Sequence, residues 1–185
     1  MTSIYVVRHG EVVDNSVYYG RLEAELSEKG KETSKRVAAS LAGKDISKVL
    51  TSSMPRAAYM AFLISESCKC PIDSCWRIDA KEYGEWAGKK KDEVKRKNYN
   101  DLEVKWLIHG AGGESYADVA ERVAPLLEDL ANSDQGNVVL VTHEGVMKVI
   151  YSILNLDRAG INKRFRYGDF FYVPDLAQRI EDLSK

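Results

Sequence analysis

Five short runs of apolar and β-branched residues recur along this chain, and helix-length segments separate them. Ser3–Val7, Ile46–Leu50, Ile72–Ile78, Asn137–Val141 and Phe165–Val173 read as strands. Ser27 opens a helix that runs to about Ala42 and ends at Gly43; Pro55 opens a second that continues to Ser67. A charged helix is expected over Lys89–Ile108, with Val94, Leu102 and Trp106 facing inward. Ser115-x-x-Asp118 resembles a capping box with Asp in place of Glu, and opens a helix to about Leu130 that Pro125 is expected to kink. Glu144–Leu154 is a further helix. Strands alternating with helices predict an α/β fold with a mostly parallel sheet, in one domain over residues 1–185. Pro174 suggests that the last strand lies at an edge.

In such sheets ligands bind outside the carboxyl ends of the strands. Three strands of this chain end in polar residues. The first runs into Arg8-His9, the second into Thr51-Ser52-Ser53 with Arg56 soon after, and the fourth into Thr142-His143-Glu144. Two arginines and two histidines thus converge on one edge. Arginine offers a fixed fork of donors to a tetrahedral oxyanion, and helix N-terminal amides after Arg56 and Glu144 add further donors. Phosphate is the guest that this chemistry fits. A lone strand-end histidine most often satisfies a buried carbonyl and nothing more. Two of the chain's three histidines at matching strand ends, beside arginines, argue for a site.

Composition excludes several other classes. The net charge is -1, so no basic excess points to nucleic acid. The apolar runs are strand-sized and too short to span a bilayer. The N-terminus passes from strand-like sequence straight into charge, so a signal peptide is not expected and the cytoplasm is. Cys68, Cys70 and Cys75 are expected to be reduced thiols rather than a zinc site, because no histidine or further cysteine lies near them in sequence.

The motifs then become specific. Arg8-His9-Gly10-Glu11 with Asn15 six residues after the histidine, Gly20 followed by Leu26-Ser27-x-x-Gly30, and Thr51-Ser52-Ser53-Met54-Pro55-Arg56-Ala57 occur in order. Gly84-Glu85-Trp86-Ala87-Gly88, Gly113-Glu114-Ser115-Tyr116 with Arg122, and Val141-Thr142-His143-Glu144-Gly145-Val146 follow. Together they resemble the histidine phosphatase superfamily, in its phosphoglycerate-mutase-like branch, over nearly the whole chain. The resemblance implies a three-layer α/β/α sandwich. It implies His9 as the nucleophile that takes the phosphoryl group, with Arg8, Arg56 and His143 on the equatorial oxygens and Asn15 assisting. Gly10, Tyr19, Gly20 and Glu144 are the further substrate-binding expectations, with Gly10 letting the backbone approach the ligand. Water then hydrolyses the phosphohistidine, and neither metal nor cofactor is required.

One departure concerns the proton donor. The family usually places a glutamate four residues before the glycine of its GEW turn, and here that position is Ala80. Three outcomes stay open. Glu82 serves if the loop is shifted by two residues; Glu144 serves as an acid does in another branch of the superfamily; or no acid survives. Glu82 is placed first. Lys148 stands where arginine is common and reads as a surface charge.

The short chain is more similar to the phosphatases of the family than to its longer mutases. Among small members it is most similar to phosphatases of phosphorylated metabolites, such as α-ribazole phosphatase. A small phosphorylated metabolite is therefore the expected partner, and the oligomeric state is not given by the sequence. A protein phosphohistidine phosphatase, a phosphoglycerate mutase and a phospho-ligand module without turnover remain as alternatives. Lys89-Lys90-Lys91 and Lys95-Arg96-Lys97 read as a solvated face or as an attraction for anions. Tyr18, Tyr19, Trp86 and Trp106 are candidates for a pocket wall, with core packing the commoner role for the tryptophans.

Overall fold

The structure, a computed structural model, describes residues 1–94, 101–155 and 157–183. Its centre is a five-stranded sheet of β1 (Thr2–Arg8), β2 (Ile46–Thr51), β3 (Ile72–Ser74), β4 (Gly136–Thr142) and β5 (Phe170–Val173), in the order β3-β2-β4-β1-β5. The first four strands are mutually parallel, and β5 runs antiparallel along the β1 edge.

Alternation along the strands decides which helix packs where. Ile4, Val6, Val138 and Leu140 point to one face, against α4 (Tyr116–Ala131), α5 (Glu144–Asn155) and α6 (Leu176–Leu183). Tyr5, Val7, Val49, Val139 and Val141 point to the other, against α1 (Glu28–Leu41) and α2 (Pro55–Cys68). Each fully buried aliphatic side chain of these layers stabilises the fold by about 1.5–3 kcal/mol. Ser27 caps α1 by accepting from Gly30 N, and Ser115 and Asp118 form a reciprocal capping box on α4. Pro125 leaves α4 one continuous helix, held by Val119, Val123, Leu126, Leu127 and Leu130 on its buried face.

Several boundaries differ from those the sequence predicts. The third strand stops at Ser74, where Cys75 N donates to Thr51 O and a 3-10 turn, Trp76–Ile78, follows. Among the described residues of the expected helix over Lys89–Ile108, α3 covers Leu102–Leu107. Before it, Tyr18 N donates to Lys89 O, Gly88 N to Tyr18 O and Lys91 N to Ser16 O. The Gly88 and Lys91 amides and the Lys89 carbonyl are thus committed to a neighbouring loop rather than to the bonds of an α-helix. Lys95-Arg96-Lys97 lies outside the described residues. The last strand covers only Phe170–Val173, and Phe165 is a buried core residue ahead of it. Helix α6 carries no strong sequence signal. Cys68, Cys70 and Cys75 are free thiols.

Candidate active site

The chain leaves β1 toward α1 on one face of the sheet and leaves β4 toward α5 on the other, although β1 and β4 are neighbours. Their carboxyl ends diverge and open a crevice, the position where open α/β sheets bind ligands. Arg8 pairs with Thr142 in register, so His9 and His143 come next, side by side. His9 N donates to Thr142 O at 3.1 Å. The two rings meet edge to face with centroids 4.8 Å apart, and both residues are buried.

His9 Nδ1 lies 2.7 Å from the carbonyl oxygen of Gly10. A carbonyl only accepts, so the proton sits on Nδ1 and Nε2 keeps its lone pair. Burial, reinforced by Arg56 and Arg8, pushes His9 down to about 3, so the ring is neutral at physiological pH. The Arg8 guanidinium stacks on the Tyr167 ring at 3.9 Å, donates to Phe165 O, and pairs with Glu144 Oε2 at 3.1 Å. Its Nε is buried and has no hydrogen-bond partner among the described residues. Arg56 donates to the carbonyls of Gly20 and Leu22, which ties the 20–22 loop over the site.

These groups line a cleft of about 300 Å³ with Tyr18, Tyr19, Gly20, Ala80, Lys81, Tyr83, Trp86, Lys91, Lys105, Tyr116, Glu144, Lys148 and Tyr167. Arg8, His9, Arg56, His143, Tyr19, Gly20 and Glu144 are therefore brought together.

Asn15, Gly10 and Glu82 stand elsewhere. Asn15 is exposed, and its carbonyl accepts from Lys91 Nζ. A Cβ on Gly10 would lie 2.2 Å from Gly30 O, so this glycine is required by its contact with α1. The Glu82 carboxylate accepts from Tyr83 N and Gly84 N, at 2.9 and 3.3 Å, and is not part of the cleft wall. Glu144, the other acid candidate, does line the cleft, between Arg8 and Lys148. Lys148 is a cleft residue and not an outer charge. Its place four residues after Glu144 on α5 puts the two on one helix face, a signal the sequence does hold. Trp86 lines the cleft, whereas Trp106 is core, with Nε1 donating to Arg158 O.

Arg122 is buried and binds Glu114 and the carbonyls of Arg77, Asp79 and Ala80, bracing the segment below the cleft. Tyr167 carried no sequence signal. It reaches the site because Arg8 N donates to Asp169 O and Gly168 N to Arg8 O, which folds its loop over the end of β1.

A parallel sheet that gathers two neutral histidines and two arginines at one carboxyl edge is the layout of a phosphoric monoester hydrolase. The profile of the histidine phosphatase superfamily (branch 1) matches residues 4–167, and the chain belongs to that superfamily. It is 31% identical over 162 residues to phosphoserine phosphatase 1 of Hydrogenobacter thermophilus, covering 83% of this chain and 76% of that one. It is 30% identical over 168 residues to glucosyl-3-phosphoglycerate phosphatase of Mycolicibacterium vanbaalenii, covering 82% and 73%. The fold superposes on mycobacterial glucosyl-3-phosphoglycerate phosphatase with a TM-score of 0.82 at 23% identity, over 92% of this chain and 88% of that one. No helix among the described residues is long and apolar enough to cross a membrane.

Proposed function

We propose that this enzyme hydrolyses a small phosphomonoester that carries a second anionic group, through a phosphohistidine on His9. The observation that carries the reading is the pairing of an open His9 Nε2 with the buried, unpartnered Nε of Arg8. That donor is stranded unless an anion meets it, and a stranded buried donor costs about 1–3 kcal/mol. Arg8, Arg56 and His143 take the phosphoryl oxygens and hold them in line with His9. The P–O bond to the leaving alcohol breaks as the Nε2–P bond forms. Glu144, a carboxylate in the free protein, takes a proton from solvent as the ester binds, gives it to the leaving oxygen, then recovers one from the water that attacks the phosphohistidine.

The charge of the cleft supports the second anionic group. Among its described residues stand Arg8, Arg56, Lys81, Lys91, Lys105 and Lys148, against the single carboxylate of Glu144. Two arginines suffice for a phosphoryl dianion, so the outer lysines suit a carboxylate or second phosphate. The relatives named as phosphoserine and glucosyl-3-phosphoglycerate phosphatases have substrates of this kind in their names. A cleft of about 300 Å³ also suits a small metabolite better than a folded protein.

The test is phosphate release from a panel of phosphomonoesters, with a chelator present and His9→Ala as control. Esters with a second anion should exceed simple alkyl phosphates by at least about tenfold in kcat/KM, the worth of about 1.4 kcal/mol. Release from a phosphohistidine protein alone would make the chain a protein phosphatase. Isomerisation of a phosphoglycerate without release would make it a mutase.

A further inference from the structure

Behind His143 lies a chain of buried hydrogen bonds that the mechanism above does not use. His143 Nε2 is 2.9 Å from Ser52 Oγ. Ser52 Oγ is 2.9 Å from Asp79 Oδ1 and accepts from Met54 N at 3.2 Å. Asp79 also accepts from Ser53 N at 2.7 Å and from Ser53 Oγ at 2.8 Å. All three members, His143, Ser52 and Asp79, are buried.

A serine hydroxyl has one proton and two acceptor sites. The carboxylate can only accept, so the Ser52 proton points to Asp79. The amide of Met54 fills one acceptor site. The remaining contact therefore requires His143 to donate from Nε2. Its unprotonated nitrogen is Nδ1, which is left for the cleft that the ring lines. His9 shows the reverse arrangement, with the proton on Nδ1.

We propose that Asp79, acting through Ser52, fixes His143 as the Nε2–H tautomer, so that binding of a phosphoryl group draws one proton onto His143 Nδ1. The proposal rests on the reading of the cleft as a phosphoryl site. A bare Nδ1 presents a lone pair to an anionic oxygen and repels it, whereas an imidazolium donates to it. Burial first, and then the groups facing His143, favour the neutral ring in the free protein: His9 just beyond β1, Arg56 from α2, Arg8 from β1 and Arg122 from α4. Glu144 beside it and Asp79 behind Ser52 are the opposing charges. An arriving dianion adds two more and reverses the balance. The proton comes from solvent or from the monoanionic ester, and Asp79 stabilises the imidazolium through the serine. Asp79 is thus a positioning residue, not a proton donor to substrate.

The chain has three histidines, His9, His109 and His143, so nitrogen-15 histidine spectra are assignable by single substitution. In the free protein His143 should be protonated at Nε2 and bare at Nδ1, with His9 the opposite. Asp79→Asn and Ser52→Ala should each convert His143 to a tautomer mixture and leave His9 unchanged. Ser52→Ala keeps the bonds between Asp79 and Ser53, so it tests the relay even where Asp79→Asn fails to fold. Saturation with inorganic phosphate should protonate His143 Nδ1. Calorimetry in buffers of different ionisation heat should show uptake of about one proton per site in the wild type and less than half of that in Ser52→Ala. An Nδ1–H tautomer at His143 in the free protein, spectra indifferent to both substitutions, or phosphate binding without proton uptake would each overturn the proposal. Failure of the wild type to bind phosphate at all would overturn the phosphoryl reading and the proton uptake together, while the free-protein tautomers are read independently.

Discussion

His9 and His143 occupy equivalent positions beyond two neighbouring parallel strands, edge to face with centroids 4.8 Å apart, and both are buried at the floor of the cleft. Two imidazoles this close, with Arg8 and Arg56 beside them, do not carry charge together. His9 is held down to about 3, by burial first and then by Arg56 and Arg8. His143 is lowered well below its ordinary value by burial first, then by His9 and the arginines. His9 is thereby kept neutral, and the cost falls on acid stability.

That cost has a definite sign. The unfolded chain protonates each histidine near pH 6.5, while folded His9 stays neutral until about 3. The unfolded state binds more protons across that window, so stability is greatest above pH 6.5 and is lost as pH falls toward 3. Each such histidine contributes a slope of up to about 1.4 kcal/mol per pH unit. Urea unfolding at stepped pH should show a steep acid loss, and His9→Gln should shallow the slope by about that amount. Equal slopes in the two proteins would mean that His9 titrates normally in the fold.

Gly10 makes a second prediction, about packing. A Cβ there would sit 2.2 Å from Gly30 O, and one on Gly30 would sit 2.0 Å from Glu11 O. The two glycines let the strand end and the first turn of α1 touch, where Ser27 N donates to Glu11 O. Gly10→Ala should therefore lower stability by about 3 kcal/mol through overpacking. Gly43→Ala is the contrast: its φ is +78° but nothing lies within 4 Å, so it should cost only about 1 kcal/mol of backbone strain. Denaturation midpoints that place the two alanines together would refute the close-contact account.

The same glycine shows where the sequence could and could not be read. The strand-end histidines and arginines were legible because the strand pattern and the carboxyl-edge rule together predict convergence, whatever the loops do. The tripeptide after β1 was legible as a motif, but not the reason for its glycine, which lies in a helix twenty residues later. Asn15 keeps its motif spacing yet lies exposed, because its loop is pinned by backbone bonds to residues 89 and 91. Tyr167 was invisible, since only the antiparallel return of β5 brings its loop to Arg8. Glu82 stands outside the cleft wall for a local reason. The turn that follows it offers two amides, and its carboxylate folds back to cap them.

The two carboxyls therefore part in a kinetic test. Glu144 lines the cleft beside Arg8, so Glu144→Gln removes the group proposed to exchange a proton with the leaving oxygen. General acid catalysis contributes roughly 10²–10⁴-fold, and it matters most when the leaving group is a poor one. The Gln variant should lose about a hundredfold in kcat on an alkyl phosphate and much less on an aryl phosphate whose phenolate departs unaided. Glu82→Gln keeps an oxygen for Tyr83 N and Gly84 N, so kcat on both esters should stay within about twofold of wild type, with at most about 1 kcal/mol lost in stability. If Glu82→Gln slows the alkyl ester selectively and Glu144→Gln does not, the acid sits on the turn after Ala80, and the cleft must rearrange to reach it.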